Sequence, residues 1–244
     1  MASYLIADLH LSAQRPDLVR AFCQFCQQIS LDAQALYILG DLFEAWIGDD
    51  YQDAAIVEIN QSLLKLKNAG CQLYFIHGNR DFLVGEQYAN QVGITILNSD
   101  QVYPIEDIQA ILAHGDEYCW DDTSYQRFRK VVRNPAVQWL YNALPLATRQ
   151  AIANKARRQS KAGQANKSMQ IMDVTPAAIT DAFARHNHSS KAGHPINLMI
   201  HGHTHRPNVH TAENTRIVLG DWGKSLWYVC VTGSNWELVE QPIK

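Results

Sequence analysis

A chain of 244 residues with a formal net charge of −3 can bury a full core, and residues 1–244 read as one domain. No apolar run reaches the ~20 residues that span a bilayer, and strand signal begins by Tyr4 with no secretory leader before it. A cytoplasmic protein with at most peripheral membrane contact is therefore expected. Five cysteines, odd in number and irregular in spacing, exclude a disulfide framework.

Taken in chain order, short apolar runs predict strands at 3–7, 35–39 and 71–77, each followed by an amphipathic helix, near 16–29, 53–69 and 84–92. Cys23 and Cys26 form a C-x-x-C inside the first helix, with no second pair at zinc-ribbon spacing, and read as helix-face residues. Strands at 94–97, 101–105 and 108–113 suggest a meander. From 121 to 187 strand signal is absent. Helices are expected at 125–133, 137–144, 146–159 and 177–187, with a polar basic loop over 160–168. Strands return at 196–200, 216–220, 226–232 and 235–240, after a polar loop at His188–Pro195. The pattern is α/β with a mixed sheet and an inserted helical cap at 121–187.

Charge is unevenly spread. Ten of the 21 Lys and Arg residues fall between Arg127 and Lys167, a stretch with no Asp or Glu. Such a local field suits an anionic partner: a phosphate, nucleic acid or a membrane surface. With no aromatic-interleaved basic stripe and no overall basic charge, nucleic acid is not expected.

The chemistry lies where apolar runs end. Tyr4-Leu5-Ile6-Ala7 leads into Asp8-Leu9-His10, and Leu36-Tyr37-Ile38-Leu39-Gly40 into Asp41. Leu73 to Gly78 leads into Asn79-Arg80-Asp81, Ile111-Leu112-Ala113 into His114-Gly115-Asp116, and Leu198-Met199-Ile200 into His201-Gly202-His203-Thr204-His205. Residues that come directly after such strands gather at one edge of a sheet. Gly40-Asp41 and Gly78-Asn79 could each be simple turns, but three alternating histidines on a buried strand would be costly. Asp8, His10, Asp41, Asn79, His114, His203 and His205 form a hard-to-borderline donor set suited to Mn, Fe or Zn. Seven donors exceed one ion and suit two, the arrangement used to hydrolyse phosphoesters and phosphoanhydrides.

Asp-x-His, Gly-Asp, Gly-Asn-x-Asp, His-Gly-Asp and Gly-His-x-His, in that order, resemble the calcineurin-like metallophosphoesterases. The resemblance implies a four-layer α/β/β/α sandwich. It implies Asp8, His10, Asp41 and His205 on one metal, and Asp41, Asn79, His114 and His203 on the other, with Asp41 bridging. His77 and His201 fall outside that pattern and read as structural. The flanking segments 37–50, 75–83, 171–174 and 200–207 are similar to the branch of this family that cleaves UDP-2,3-diacylglucosamine in lipid A synthesis.

That likeness implies two divalent ions, with Mn²⁺ favoured, and attack of a metal-bound hydroxide on the phosphorus nearest uridine. The products would be UMP and 2,3-diacylglucosamine 1-phosphate (lipid X). Arg80 stands where many relatives have His; its permanent charge would stabilise the transition state. Substrate contacts are implied at Asn79, Arg80, Asp122, Ser160, Gln164, Lys167 and His203. Gln164 replaces an Asn of related chains, and Asn166 is an alternative for that contact. Trp139, Leu140, Tyr141, Leu144, Leu146 and Ile152 could line an acyl groove or pack the cap against the body. A monomer attached peripherally to the cytoplasmic face of the inner membrane, through its anionic surface, is expected. Other phosphoesterase activities (nucleotide pyrophosphatase, cyclic-nucleotide phosphodiesterase, nuclease) and a non-enzymatic scaffold are the competing readings.

Overall fold

Alternating apolar runs and amphipathic helices build the first half of the chain as successive strand–helix units. In the computed structural model, which describes residues 1–165, 173–189 and 195–243 (backbone only for 159–165 and Ser189), these are β1 (Ala2–Ile6), α1 (Pro16–Ile29), β2 (Ala33–Ile38), α2 (Ala54–Asn68), β3 (Gln72–Ile76), α3 (Glu86–Val92) and β4 (Ile94–Leu97). Strands β1 to β4 pair in parallel. Local chemistry sets the helix ends. Pro16 opens α1 where its missing N–H costs nothing. The Asp53 carboxylate accepts from Ile56 N at 2.9 Å to cap α2, and Gly93 closes α3 in the left-handed region.

The second half adds β5 (Gln101–Ile105), β6 (Ile108–Ala113), β7 (Leu198–His201), β8 (Asn208–Thr211), β9 (Thr215–Val218), β10 (Ser225–Thr232) and β11 (Asn235–Pro242). One sheet runs β11-β10-β1-β2-β3-β4 and the other β5-β6-β7-β9-β8. The expected 94–113 meander is thus split: β4 ends the first sheet and β5 begins the second. Strand β8, polar and at a sheet edge, carries too little apolar signal to be read from sequence.

Three cores stack between four layers. Leu18, Phe22 and Phe25 of α1 and Ile59 and Leu63 of α2 pack on Ile6, Leu36 and Phe75 of the first sheet. Leu5, Tyr37 and Ile76 meet Leu112, Ile200 and Ile217 between the sheets. Ile111, Ala113 and Met199 on the far face of the second sheet meet Ala178, Ala182 and Phe183 of α7 (Pro176–Ser189). This is the α/β/β/α sandwich. Cys26 is buried in the first core, where burial pushes its thiol well above the usual range, and all five cysteines are free.

Between β6 and α7 lie a 3-10 turn (Asp116–Tyr118), α4 (Thr123–Val132), α5 (Pro135–Asn142) and α6 (Leu146–Ala165). Helices α4 and α5 bury no residue, whereas α7, within the same 121–187 stretch, supplies the fourth layer of the body. Helix α6 continues through residues 160–165, where a loop is expected from sequence: Lys161, Ala162, Gln164 and Ala165 are strong helix formers, although they show no apolar period. Residues 166–168 of that loop, and 190–194 of the His188–Pro195 loop, lie outside the described residues.

Candidate metal centre

Five strands of the two central layers, β1, β2, β3, β6 and β7, end at one edge. The loops beyond them run side by side: Asp8 N donates to Gly40 O (3.1 Å), His10 N to Asp41 O (3.0 Å), Leu11 N to Leu42 O (2.9 Å) and Gly202 N to His114 O (2.9 Å). Asp8, His10, Asp41, His203 and His205 all take positive φ, between 50° and 68°. Each such residue costs on the order of 1 kcal/mol. Asp100 and Glu106 are the two other non-glycine residues in this state among those described, so the strain is concentrated on residues singled out as ligands.

The seven side chains converge in two groups. His205 Nε2 is 3.4 Å from Asp8 Oδ1 and 3.4 Å from His10 Nε2. Asn79 Oδ1 is 2.9 Å from both His114 Nε2 and His203 Nδ1. Asp41 stands between them, its Oδ2 3.9 Å from His10 Nδ1 and its Oδ1 3.8 Å from His114 Nε2. The carboxylate–imidazole sets Asp8–His10–His205 and Asp8–Asp41–His114 are each close enough to hold a cation. Asp8 Oδ1 is buried with no hydrogen-bond partner, a costly state that a cation would relieve.

Burial and neighbouring charges compete here, and neither wins throughout. Asp8 lies below the usual carboxylate range because His205, His114 and His10 outweigh its desolvation. Burial raises Asp41 to about 6, with Asp8 adding to the rise and His114 opposing it. His114 rises to about 9 despite burial, through Asp41 and Asp8. Burial and then the neighbouring His114 lower His203 to about 4. Such a cluster shares protons that a bound cation would release.

Asp81 holds the loops in register. Fully buried, it accepts from Gly78 N (2.9 Å), Asp41 N (3.2 Å) and Leu42 N (2.7 Å). His114 Nδ1 meets Leu39 O at 2.9 Å, which leaves Nε2 facing the cluster. His77 Nε2 meets Val84 O at 2.7 Å, and His201 Nδ1 meets Gly202 O at 2.8 Å, so neither ring joins the ligand groups.

The sequence model of the calcineurin-like phosphoesterases matches residues 1–207. Relatives that match over their full length are named UDP-2,3-diacylglucosamine hydrolase. The chain is 45% identical to that of Tolumonas auensis, covering 100% of this chain and 98% of the relative. It is 43% identical to that of Histophilus somni strain 129Pt, covering 97% and 99%. It is also 43% identical to that of Yersinia pestis bv. Antiqua strain Angola, covering 99% and 100%. The chain belongs to the UDP-2,3-diacylglucosamine hydrolase family of calcineurin-like phosphoesterases. It is a metal-dependent hydrolase, and divalent ions suit the donors just described.

In this hydrolase, Arg80 reaches the site from the Asn79 loop: its N donates to Asp41 Oδ1 at 2.7 Å, while its Nε is buried without a partner. Asp122 caps α4, accepting from Tyr125 N at 3.0 Å and Ser124 Oγ at 2.7 Å. The side chains of Ser160, Gln164 and Lys167 lie outside the described residues.

Much of the basic stretch faces inward. Arg129 Nε and Arg133 Nη2 lie 2.8 and 3.3 Å from the buried Asp116. Tyr125 donates to the same oxygen at 2.5 Å, and its ring stacks over His203 at 6.1 Å between centroids. Arg133 also donates to Gly78 O at 3.0 Å. Arg149, 3% exposed, donates to Ile47 O at 2.6 Å and pairs with Asp50.

Two acidic residues beside the cluster fall outside the sequence pattern of donors. Glu44 Oε2 is 3.5 Å from His10 Nδ1, and Asp221 Oδ1 is 4.0 Å from His205 Nδ1. A signal existed for Asp221: Ile217-Val218-Leu219-Gly220 is another apolar run ending at Gly-Asp.

Proposed function

We propose that this chain hydrolyses the pyrophosphate of UDP-2,3-diacylglucosamine, giving UMP and 2,3-diacylglucosamine 1-phosphate, a step of lipid A synthesis. The similarity to hydrolases of that name over the full length of the chain carries the reading. Asp8, His10, Asp41 and His205 would hold one ion, and Asp41, Asn79, His114 and His203 the other, with Mn²⁺ favoured. Divalent ions there supply an acidified water and neutralise phosphoryl charge. Asp41 keeps the two groups in one frame. The buried, unpaired Nε of Arg80 is suited to a phosphoryl oxygen, whose charge it would hold as the bond to UMP breaks. Asn79 and His203 border the same oxygens. Asp122, Ser160, Gln164 and Lys167 would contact the rest of the substrate, Asp122 while also capping α4.

Residues 1–244 act as one domain in this reading, and α4–α6 as its cap. The groove-or-packing alternative for the apolar cap residues leans toward a substrate or membrane face, because Trp139 and Leu140 are 70% and 60% exposed. Arg127, Lys130, Lys155 and Arg158 of α4 and α6 are exposed as well and suit an anionic lipid surface. No helix among the described residues is long and apolar enough to cross a membrane. We place the protein as a monomer held peripherally at the cytoplasmic face of the inner membrane.

Incubation with Mn²⁺ and UDP-2,3-diacylglucosamine, beside UDP-sugars lacking acyl chains, tests the reading. UMP released from the diacylated substrate alone supports it. Equal cleavage of both would sink the lipid specificity, and no cleavage of either would sink the function.

A further inference from the structure

We infer that Glu44 and Arg157 are positioning residues for His10, and that they tie the grip on one ion to the docking of α6. The inference rests on the two-ion reading above. Glu44 is held beside His10 by backbone: Leu11 and Phe43 form a parallel bridge, and Glu44 N donates to Leu11 O at 3.0 Å. The His10 ring has two distinct sides. Its Nε2 faces His205 Nε2 at 3.4 Å, within the Asp8–His10–His205 group. Its Nδ1 is buried with no hydrogen-bond partner, and the nearest carboxylate oxygens are Glu44 Oε2 at 3.5 Å and Asp41 Oδ2 at 3.9 Å.

An imidazole that coordinates through Nε2 must carry its proton on Nδ1, and that proton needs an acceptor. Asp41 is committed to the ions, so the acceptor is Glu44. A carboxylate there fixes the tautomer, the ring plane and the basicity of the ligand.

The other carboxylate oxygen meets α6. Glu44 Oε1 lies 3.6 Å from Arg157 Nε, and Arg157 Nη2 donates to Glu44 O at 3.5 Å. Arg157 belongs to α6, two turns beyond the buried Arg149 that roots this helix on the 47–50 loop. Between those two arginines the seam is not filled by side chains. A cavity of about 300 Å³ lies there, lined by Phe43, Glu44 and Ile56 of the body and by Gln150, Asn154 and Arg157 of α6. The Arg157–Glu44 pair spans this seam, so a shift of α6 is felt at His10.

Mn²⁺ titration of the chelator-stripped full chain, with free Mn²⁺ read by electron paramagnetic resonance, tests this without turnover. Wild type should take up two ions. Glu44→Gln should weaken one of them ~10–100-fold and leave the other within about threefold, with an unchanged circular dichroism spectrum. Arg157→Ala should weaken the same ion by less, Arg157→Lys should restore most of the loss, and the double variant should bind no worse than Glu44→Gln alone. Wild-type affinity at both sites in Glu44→Gln overturns the inference and leaves the proposed function standing. If that variant does not fold, the test passes to Arg157→Ala: a threefold or greater loss at one ion supports the inference, and unchanged binding overturns it. Wild type that takes up no ion would overturn this inference and the proposed function together.

Discussion

Gly78→Ala is the sharpest probe of how the site is assembled. A Cβ at this position would sit 2.1 Å from Asp41 Oδ1 and 2.4 Å from Asp41 N. That is more than an ångström inside the ~3.5 Å at which such atoms rest. Neither neighbour can give easily. Asp41 Oδ1 accepts from Arg80 N at 2.7 Å, and Gly78 is itself tied by Asp81 Oδ1 at 2.9 Å and Arg133 at 3.0 Å.

The crowding should cost about 1–3 kcal/mol of stability. A displacement of about 1 Å at the Asp41 carboxylate should lower kcat ~10²-fold or more. UMP release at saturating Mn²⁺, with thermal unfolding in parallel, reads both effects. Gly70→Ala is the control: its φ of +102° makes it strained, but nothing lies within 4 Å of its Cβ. It should lose about 1 kcal/mol at full activity. Gly78→Ala retaining activity within about threefold of wild type would show that the two ligand loops are not locked as described.

Three further outcomes are expected. Asp41→Ala, or removal of divalent ions by chelation, should abolish turnover, by on the order of 10³-fold for the variant; substantial remaining activity in Asp41→Ala would refute its bridging place. The carboxyl of Asp50 is held below its ordinary range by the hydrogen bonds from Arg149. Its contribution should therefore be complete above the unfolded value of about 3.9 and vanish as pH falls through the folded one. The gap in melting temperature between wild type and Asp50→Asn should be present at pH 7 and close in acid, and a gap unchanged at low pH would contradict the pairing. Trp139→Ser with Leu140→Ser should lower partitioning onto anionic vesicles ~10²-fold, from about 3 kcal/mol of lost apolar burial; unchanged partitioning would remove this face from membrane contact.

The sandwich and the gathering of the seven side chains at one edge were legible because both depend on short-range signals. Apolar runs such as Leu36–Leu39 and Leu198–Ile200 mark buried strands, and the residue next after a strand must lie at the strand's end. Partnership between distant polar groups leaves no such trace. Arg129 and Arg133 read as part of a basic stretch suited to an anionic partner, but they neutralise Asp116, which is buried by the fold rather than by its neighbours in sequence. Asp81 stands in the Gly-Asn-x-Asp motif, yet its part in clamping Asp41 and Leu42 depends on a loop some forty residues away. Helix α7 reads like α4 and α5, and only the second sheet beneath it makes it a layer of the body.

The left-handed backbone at Asp8, His10, Asp41, His203 and His205 narrows what these positions can become. Asp, Asn and His tolerate that conformation better than other side-chain-bearing residues. They are also oxygen and nitrogen donors for divalent ions. Two unrelated requirements therefore select the same few amino acids. Glu would keep the carboxylate of Asp8 or Asp41 but gain a methylene and lose the conformational tolerance. Drift at these five sites is confined to a short alphabet by the geometry of the main chain before metal chemistry is consulted.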